Sequence, residues 1–193
     1  MTLISPQGED SALAGLPAFG YAQAMISVLI ETLNDEERLA RTLASLVGAS
    51  VEGLVRQVIV WDRGSTDGTS EVADAAGCDW VAAGSVTEAA GQAKAEWILL
   101  LEPGALMGAG WTDAAARHCA LAEMAATFTS RTRRPLFGRL LGRERALARG
   151  LLIRRQRAVA LAKSARNAEA IARGLASRRI DGEIVVAERG KRG

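Results

Sequence analysis

The organisation of this chain is clearest in residues 57–69, which read Gln-Val-Ile-Val-Trp-Asp-Arg-Gly-Ser-Thr-Asp-Gly-Thr. The first part, from Val58 to Trp61, is a continuous apolar run, which is typical of a strand buried on both faces of a parallel sheet. The run stops at Asp62, and the small, hydroxyl and acidic residues that follow can turn the chain and cap a helix. Because open α/β sheets bind ligands at the carboxyl ends of their strands, Asp62 stands where a ligand site is expected. The residues alone leave two readings open, a plain strand–turn–helix cap or a binding loop.

Strand and helix patterns alternate on both sides of this segment. Ile26–Ile30 predicts a buried first strand, Asp79–Ala82 a short third strand, and Trp97–Leu101 a fourth strand that is apolar on both faces. Helical patterns lie between them, over residues 34–48, 67–76 and 86–94. This order predicts an α/β fold with a mainly parallel sheet, right-handed crossovers and flanking helices. We therefore expect Asp62 and Glu102, which each follow a strand, to lie on the same carboxyl edge.

The second half of the chain has a different pattern. Thr112–Ala126 is Ala-rich and predicts a helix, Leu136–Arg149 also has a helical pattern, Gln156–Ser177 predicts a long helix with a shallow apolar stripe, and Ile180–Ala187 predicts an edge strand. We expect this part to be largely helical and basic.

Composition limits the classes of protein that the chain can belong to. At 193 residues, 49% of them hydrophobic, it is long enough for one domain with a real core. Cys78 and Cys119 have no paired-ligand spacing, so we expect reduced structural thiols and no zinc site. The only histidine, His118, has no partner motif and is expected to be structural. No apolar run approaches the roughly 18 residues that span a bilayer.

Charge is distributed unevenly along the chain. Residues 1–130 hold 6 Lys and Arg against 17 Asp and Glu, whereas residues 131–193 hold 18 against 5. The basic half can meet an anionic partner, or it can pair with the acidic half within the fold or across a homo-oligomer. Few aromatic residues lie among the arginines, which argues against a nucleic-acid groove.

Residues 57–69 resemble the Asp-Asp-Gly-Ser-Thr-Asp-Gly-Thr signature of family 2 glycosyltransferases, which have the nucleotide-diphospho-sugar transferase fold. Asp62 matches the first acid of the signature, and Arg63 replaces the second. Residues 26–37 resemble the opening of the family, usually Ser-Val-Ile-Ile-Pro-Thr-Leu-Asn-Glu-Glu, with Glu31 where proline is usual. The resemblance covers residues 26–111.

The resemblance implies a site for a nucleotide-diphospho-sugar donor. The positions that match the family's nucleotide-binding residues are Thr32, Asn34, Asp62 and Ser65. A carboxylate such as that of Asp62 can accept hydrogen bonds from a base or a ribose. Asn34 has a second reading as a helix cap, because Glu37 follows three residues later as in a capping box.

The resemblance also implies a divalent cation, Mg²⁺ or Mn²⁺. The family carries Asp-x-Asp after its fourth strand, and the matching residues here are Glu102-Pro103-Gly104, a degenerate motif in which only Glu102 keeps a carboxylate. One carboxylate can suffice for Mg²⁺ when phosphates and water complete the shell. The alternative reading is a simple turn. No carboxylate matches the family's catalytic base; Glu144 is the nearest acid, and the sequence assigns no catalytic residue.

Taken together, these features predict a glycosyltransferase-like protein that moves a sugar from a nucleotide-diphospho-sugar to an unknown acceptor. The alternative is a catalytically degenerate homologue that serves as a binding or regulatory subunit. We expect a loose extension over residues 1–24 and a single domain over 25–193, with a nucleotide-binding half (25–111) and a basic acceptor or membrane-side half (112–193). The expected location is the cytoplasm, with peripheral attachment to the inner membrane face and a lipid-linked acceptor as a further option.

Overall fold

A computed structural model describes residues 25–82, 84–131 and 145–185. The extension predicted over residues 1–24, most of the helical pattern over 136–149 and Glu144 therefore lie outside the described residues. The described elements, in chain order, are β1 (Ile26–Thr32), α1 (Glu36–Val51), β2 (Val55–Asp62), α2 (Thr69–Ala75), β3 (Asp79–Ala82), α3 (Val86–Gly91), β4 (Trp97–Leu101), β5 (Leu106–Met107), α4 (Trp111–Leu121), β6 (Ala125–Ser130), β7 (Leu151–Arg154), α5 (Arg155–Ala162), α6 (Ala168–Ala172) and β8 (Ser177–Val185).

The strands form one mixed sheet in the order β3-β2-β1-β4-β7-β6-β8-β5. The strands β3, β2, β1 and β4 are mutually parallel, as the alternation of strands and helices predicts. β7 then runs antiparallel to β4, so the chain re-enters the sheet from the carboxyl edge. Asp62 ends β2 and Glu102 directly follows β4, which confirms that both acids lie on the same edge.

Successive strand residues point to opposite faces, and each face carries its own core. One core contains Val28, Val60 and Leu99 from the strands together with buried residues of α1 and α4. The other contains Leu29 and Ile59 from the strands together with buried residues of α3, α5 and α6. Because the sheet is covered on both sides, its central strands are apolar at almost every position, which is why they read as continuous runs in the sequence.

The second half of the chain is less helical than its sequence pattern predicts. The long helix expected over Gln156–Ser177 is wrong: α5 ends at Ala162, α6 is a separate short helix, and Ser177 already begins β8. The Asn167 side chain accepts a hydrogen bond from Ala170 N and starts α6 afresh, as residues that compete with the helix backbone tend to do. The helix expected to reach Ala126 ends at Leu121, and β6 follows it.

The residues read as structural have structural surroundings. His118 is buried, its Nε2 lies 2.8 Å from the carbonyl oxygen of Met124, and its ring packs edge-on against Trp97. Burial raises the pKa of the Cys78 thiol to about 11 and that of the Cys119 thiol to about 12, so neither thiol is activated. Within the described ranges, no helix is both long and apolar enough to cross a bilayer.

Gly182 in β8 offers a test of this packing. A Cβ at this position would lie 2.6 Å from Trp111 Cα and 3.0 Å from Phe128 Cδ1. Since backbone cannot yield as a flexible side chain does, we expect Gly182→Ala to lower the free energy of unfolding by about 1–3 kcal/mol. Urea unfolding measures this. The control is Gly48→Ala inside α1, where a Cβ meets no atom within 4 Å; it should raise stability by about 0.5–1 kcal/mol. Equal urea midpoints for Gly182→Ala and wild type would contradict the packing described here.

Candidate functional site

The Asp62 carboxylate organises the loop that follows β2. Its Oδ1 accepts hydrogen bonds from Thr32 Oγ1 (3.0 Å) and Ser65 Oγ (2.5 Å). Its Oδ2 accepts from the backbone N–H groups of Gly64 (2.9 Å) and Ser65 (2.8 Å). Asp62 is only 4% exposed, and burial alone would raise its pKa, but the hydrogen bonds from Ser65, Gly64 and Thr32 together hold the pKa below its usual value. The ionised carboxylate therefore shapes the loop around itself.

The loops after β1 and β2 cap each other's helices. Glu36 N, at the start of α1, donates to Asp67 Oδ2 (3.2 Å), and Gly68 N, just before α2, donates to Glu36 Oε2 (3.1 Å). Asp35 N donates to Thr69 Oγ1 (3.0 Å). The first N–H groups of a helix lack partners within the helix, so each loop supplies acceptors that the other helix needs. The two loops are thereby locked into one rigid edge.

Asn34 takes part in the hydrogen bonds between these two loops and does not cap α1. The residue before α1 is Asp35, and Asn34 itself has a left-handed backbone with φ 54°, a conformation that asparagine tolerates better than most residues. Its Oδ1 accepts from Thr66 N (2.8 Å), and its backbone N donates to Ser65 Oγ (2.8 Å). The capping role that the sequence left open for Asn34 is therefore wrong.

The four residues that the sequence proposed for a nucleotide site lie in one hydrogen-bonded cluster: Thr32, Asn34, Asp62 and Ser65. They differ in accessibility. Thr32 and Asp62 are buried, Ser65 is half-buried and Asn34 is exposed. Asn34 and Ser65 are therefore the members of the cluster that solvent can reach, whereas Thr32 and Asp62 are buried beneath them.

Two of the departures from the family pattern, Glu31 and Arg63, are partners in the structure. Arg63 Nη1 donates to Glu31 Oε1 (2.7 Å), and the Arg63 guanidinium lies over the Trp61 ring at 5.2 Å from its centroid. Glu31 Oε2 accepts from Ala168 N (2.7 Å), the first residue of α6. Glu31 thus ties the first two strands to the second half of the chain. The sequence held one signal of this pair, namely that both residues are unusual for their positions.

The turn after β4 is tight and is held by α1. Gly104 has φ 89°, in the left-handed region, and its N–H donates to Thr42 Oγ1 (2.8 Å). The Arg38 guanidinium donates to the carbonyl of Pro103 (2.7 Å) and forms an ion pair with Asp35 (2.6 Å). The turn reading of Glu102-Pro103-Gly104 is therefore correct as local structure, and it leaves Glu102 as the single carboxylate of the segment.

Glu102 lies in a cluster of charges that the sequence did not foresee. Arg145 Nη2 is 3.0 Å from Glu102 Oε2, an ion-pair distance, yet no described residue donates a hydrogen bond of acceptable geometry to this buried oxygen. Burial raises the pKa of Glu102; Arg145 and Arg38 lower it, and Glu169 raises it further. Arg145 and Glu169 lie beyond the part of the chain that resembles a known family, so no motif could have identified them.

The side chains around Glu102 offer few ligands to a metal ion. Among the described residues, no group of three or more His, Cys, Asp or Glu side chains could hold a metal ion. The Glu102 oxygen without a hydrogen bond can still serve as one ligand of a hard cation whose other ligands are phosphate and water oxygens. The site thus fits a cation that arrives with a phosphate-bearing ligand rather than alone.

Comparisons with known proteins agree with the sequence reading. Residues 27–102 match the family model described as glycosyl transferase family 2, which confirms the resemblance. No curated protein sequence matches the chain.

Solved structures of glucosyl-3-phosphoglycerate synthase from Mycobacterium tuberculosis are similar in fold. The complex with Mg²⁺ and UDP is 18% identical over 89% of this chain and 74% of that chain, with a TM-score of 0.59. The complex with Mn²⁺, UDP and glucosyl-3-phosphoglycerate is 17% identical over 92% and 78%, with a TM-score of 0.56. A third, with Mn²⁺, UDP and phosphoglyceric acid, is 20% identical over 72% of this chain and only 58% of that chain, with a TM-score of 0.54. At this identity the likeness confirms the nucleotide-diphospho-sugar transferase type of fold.

The pKa of Asp62 gives a test of its role in the loop. Because its pKa is lower in the folded chain than in the unfolded chain, its contribution to stability is complete above about pH 5 and falls away at lower pH. We expect Asp62→Asn to lower the free energy of unfolding by about 2 kcal/mol or more at pH 7. Between pH 5 and 3 the free energy of unfolding of the variant should fall less than that of wild type, because the variant has no carboxylate to protonate at this position. Thermal unfolding across this range measures both effects. Asp74→Asn, which removes an exposed carboxylate of α2, controls for charge, and an Asp62→Asn profile parallel to that of wild type would refute the assignment.

Proposed function

We propose that this protein is a glycosyltransferase that transfers a sugar from a nucleotide-diphospho-sugar to an acceptor. The observation that carries the proposal is the pair of interlocked loops at the carboxyl edge, built around the buried Asp62 carboxylate. A rigid edge of this kind presents fixed polar groups to a ligand and has little ordering entropy left to lose on binding. The family match over residues 27–102 and the solved structures with UDP support this reading.

In this proposal Asn34 and Ser65 contact the nucleoside of the donor, and Thr32 and Asp62 hold these two residues in place. Ser65 Oγ accepts from Asn34 N and donates to Asp62 Oδ1, so the orientation of its hydroxyl is fixed by its neighbours. The side chains that meet the ligand are therefore pre-oriented by a buried charge.

A divalent cation is part of the proposal. The similar solved structures contain Mg²⁺ or Mn²⁺ together with UDP. In this chain Glu102 would hold the cation, with the donor phosphates supplying further ligands. When bound, such a cation supplies positive charge that stabilises the departing diphosphate.

A second candidate is a degenerate homologue that binds a nucleotide-sugar without transferring it and acts as a binding or regulatory subunit. The observation that favours it is the turn at Gly104, where the family carries a second acid and this chain has no side chain. The two candidates share the donor site and differ in chemistry. Release of free nucleoside diphosphate from a bound donor, in the presence of an acceptor, distinguishes them.

We propose further that the basic half brings the protein to an anionic surface at the inner face of the cytoplasmic membrane. Exposed basic side chains lie in α5, in the segments that follow α5 and α6, and in β8: Arg157, Lys163, Arg166, Arg173, Arg178 and Arg179. Near an acidic leaflet each basic residue contributes about 1 kcal/mol, and salt screens the attraction. The competing account is pairing with acidic residues across a homo-oligomer.

Titration of a panel of nucleotide-sugars tests the donor site. We expect wild type to bind at least one uridine- or guanosine-diphospho-sugar, more tightly with Mn²⁺ than without it. Asn34→Gly keeps the left-handed backbone but removes the amide, and it should weaken binding by about tenfold or more. Calorimetry measures the affinities, with Ser70→Ala, an exposed position on α2, as the control. The donor assignment fails if no member of the panel binds to wild type.

Gly104→Asp tests the cation. It restores a second carboxylate beside Glu102, so Mn²⁺-dependent binding of UDP should become tighter, while the left-handed backbone costs about 1–2 kcal/mol of stability. Gly104→Asn has a similar backbone cost but no charge, and it separates the two effects. If the Asp and Asn variants respond equally to Mn²⁺, Glu102 is not at a cation site.

Co-sedimentation with vesicles tests the anionic surface. We expect binding to phosphatidylglycerol vesicles at low salt, loss of this binding at high salt, and no binding to neutral vesicles, because the attraction is electrostatic. If acidic vesicles fail to bind the protein even at low salt, pairing within the fold or across an oligomer is the better account.

A further inference from the structure

We propose that this chain forms a two-fold symmetric dimer, in which the open edge of β8 pairs antiparallel with the same segment of a second copy about Ile180. The inference goes beyond the proposed function and does not depend on it. The supporting observations are the uncovered backbone of one stretch of β8, the two opposite charges beside Ile180, and the face of the sheet that both charges share.

The first part of β8 has no neighbouring strand on its outer side. β8 pairs with β6 along one side, whereas β5 covers the other side only at the last two residues of β8. The segment after β5 extends this cover to Glu183, whose N–H donates to Ala109 O (3.1 Å) and whose carbonyl accepts from Gly108 N (2.9 Å). Within the described ranges, no strand lies beside residues 177–181 on this side.

The backbone groups of Arg179 and Asp181 face this open side. Along a strand, the N–H and C=O groups of successive residues point alternately to one side and the other. Ile180 O accepts from Thr129 Oγ1 of β6 (3.0 Å), so Ile180 faces inward, and Glu183 faces outward through the bonds just described. Arg179 and Asp181 therefore present their N–H and C=O groups to any strand that lies alongside.

The alternation is kept across an irregularity in β8. The pairing with β6 shifts in register between Ile180 and Glu183, as at a β-bulge. Beyond the shift, Ile184 O accepts from Arg131 N, the residue that follows β6 (2.9 Å). Ile184 thus faces inward as Ile180 does, and the residues between them keep the order that strand geometry requires.

The charges beside the open stretch are complementary about Ile180. Arg179 and Asp181 are both exposed, lie on the same face of β8, and form no ion pair with any residue that the structure describes. Residues directly opposite each other in an antiparallel pair share a face. Pairing about Ile180 therefore places Arg179 of each copy opposite Asp181 of the other, on both sides of the two-fold axis. Opposite charges at such positions stabilise a strand pair.

The same charges disfavour the neighbouring registers. Pairing about Arg179 would set the two copies of this arginine against each other, and pairing about Asp181 would do the same with two carboxylates. Like charges directly opposite each other destabilise a strand pair. Charged residues and bulges on an edge strand usually prevent pairing, but here they exclude the wrong registers and leave one that is attractive.

The symmetry has consequences for the whole molecule. A two-fold axis perpendicular to the sheet keeps α5 and α6 of both copies on the same side, so their exposed basic side chains add up on one surface. Two linked copies bind an anionic surface more strongly than one does. Because β8 runs in the same direction as β1, the antiparallel pairing turns the two carboxyl edges in opposite directions, away from the interface.

Analytical ultracentrifugation of the full chain, from low micromolar to several hundred micromolar concentration, tests the inference. Since the paired stretch is short, we expect a weak dimer with a Kd in the micromolar range. Arg179→Asp places an acid opposite Asp181 of the other copy and should raise the Kd by about tenfold or more. The matched control is Arg178→Asp, which makes the same charge change on the other face of the strand and should alter the Kd by less than about threefold.

A mixing experiment supplies a second, independent test. Asp181→Arg should weaken the dimer as Arg179→Asp does, because it opposes two basic side chains. An equimolar mixture of the two variants should dimerise again, since one chain then carries two acids and the other two bases at the facing positions. Recovery on mixing also shows that both variants are folded, and circular dichroism of each variant checks this separately.

The outcomes decide the inference without involving the donor site. A wild type that stays monomeric at every concentration would overturn it and leave the edge to a different occupant. A wild-type dimer that Arg179→Asp leaves intact, or folded variants that do not associate on mixing, would place the interface elsewhere and overturn it as well. The titrations with nucleotide-sugars are separate measurements, so the proposed function can stand or fall independently.

Discussion

The buried carboxylate of Asp62 is the interaction on which the carboxyl edge depends. It stands at the end of β2, beside Thr32 at the end of β1, because the two strands are parallel and in register there. Four hydrogen bonds compensate it for the loss of water, as a buried charge requires. Through Ser65 the same carboxylate fixes the loop that reaches Asn34, so strand pairing, loop shape and ligand-facing surface follow from a single ionised group.

The first half of the fold could be predicted from the sequence because its strands are buried on both faces. Such strands must be apolar at consecutive positions, and β4, which is buried at every residue, has the predicted bounds. The second half could not be predicted in the same way. In β8 the first three residues are all exposed and only Ile180–Val185 alternate in burial, so the sequence predicted an edge strand from Ile180 onward and missed the start of the strand at Ser177.

The site was predictable only in part, for a related reason. Thr32, Asn34, Asp62 and Ser65 come from two adjacent segments with a recognisable motif, and parallel pairing brings them together. Arg145 and Glu169 reach the same edge by way of β7 and α6, from parts of the chain with no motif. The capping alternative for Asn34 was wrong, because the acceptors for α1 come from Asp67 and Thr69 around the start of α2, and local sequence cannot reveal a cap supplied from 30 residues away.

The crossed caps of α1 and α2 have an electrostatic consequence for any ligand at this edge. The amino ends of helices carry partial positive charge and usually attract phosphates. Here Glu36 and Asp67 already occupy these ends, so this side of the edge repels a second anion. The guanidinium groups of Arg63 and Arg145 lie elsewhere along the edge, beside Glu31 and Glu102. The edge therefore has two electrostatically unlike parts, the helix ends that carboxylates already occupy and the guanidinium groups paired with Glu31 and Glu102, and it is the second part that presents guanidinium groups to a ligand.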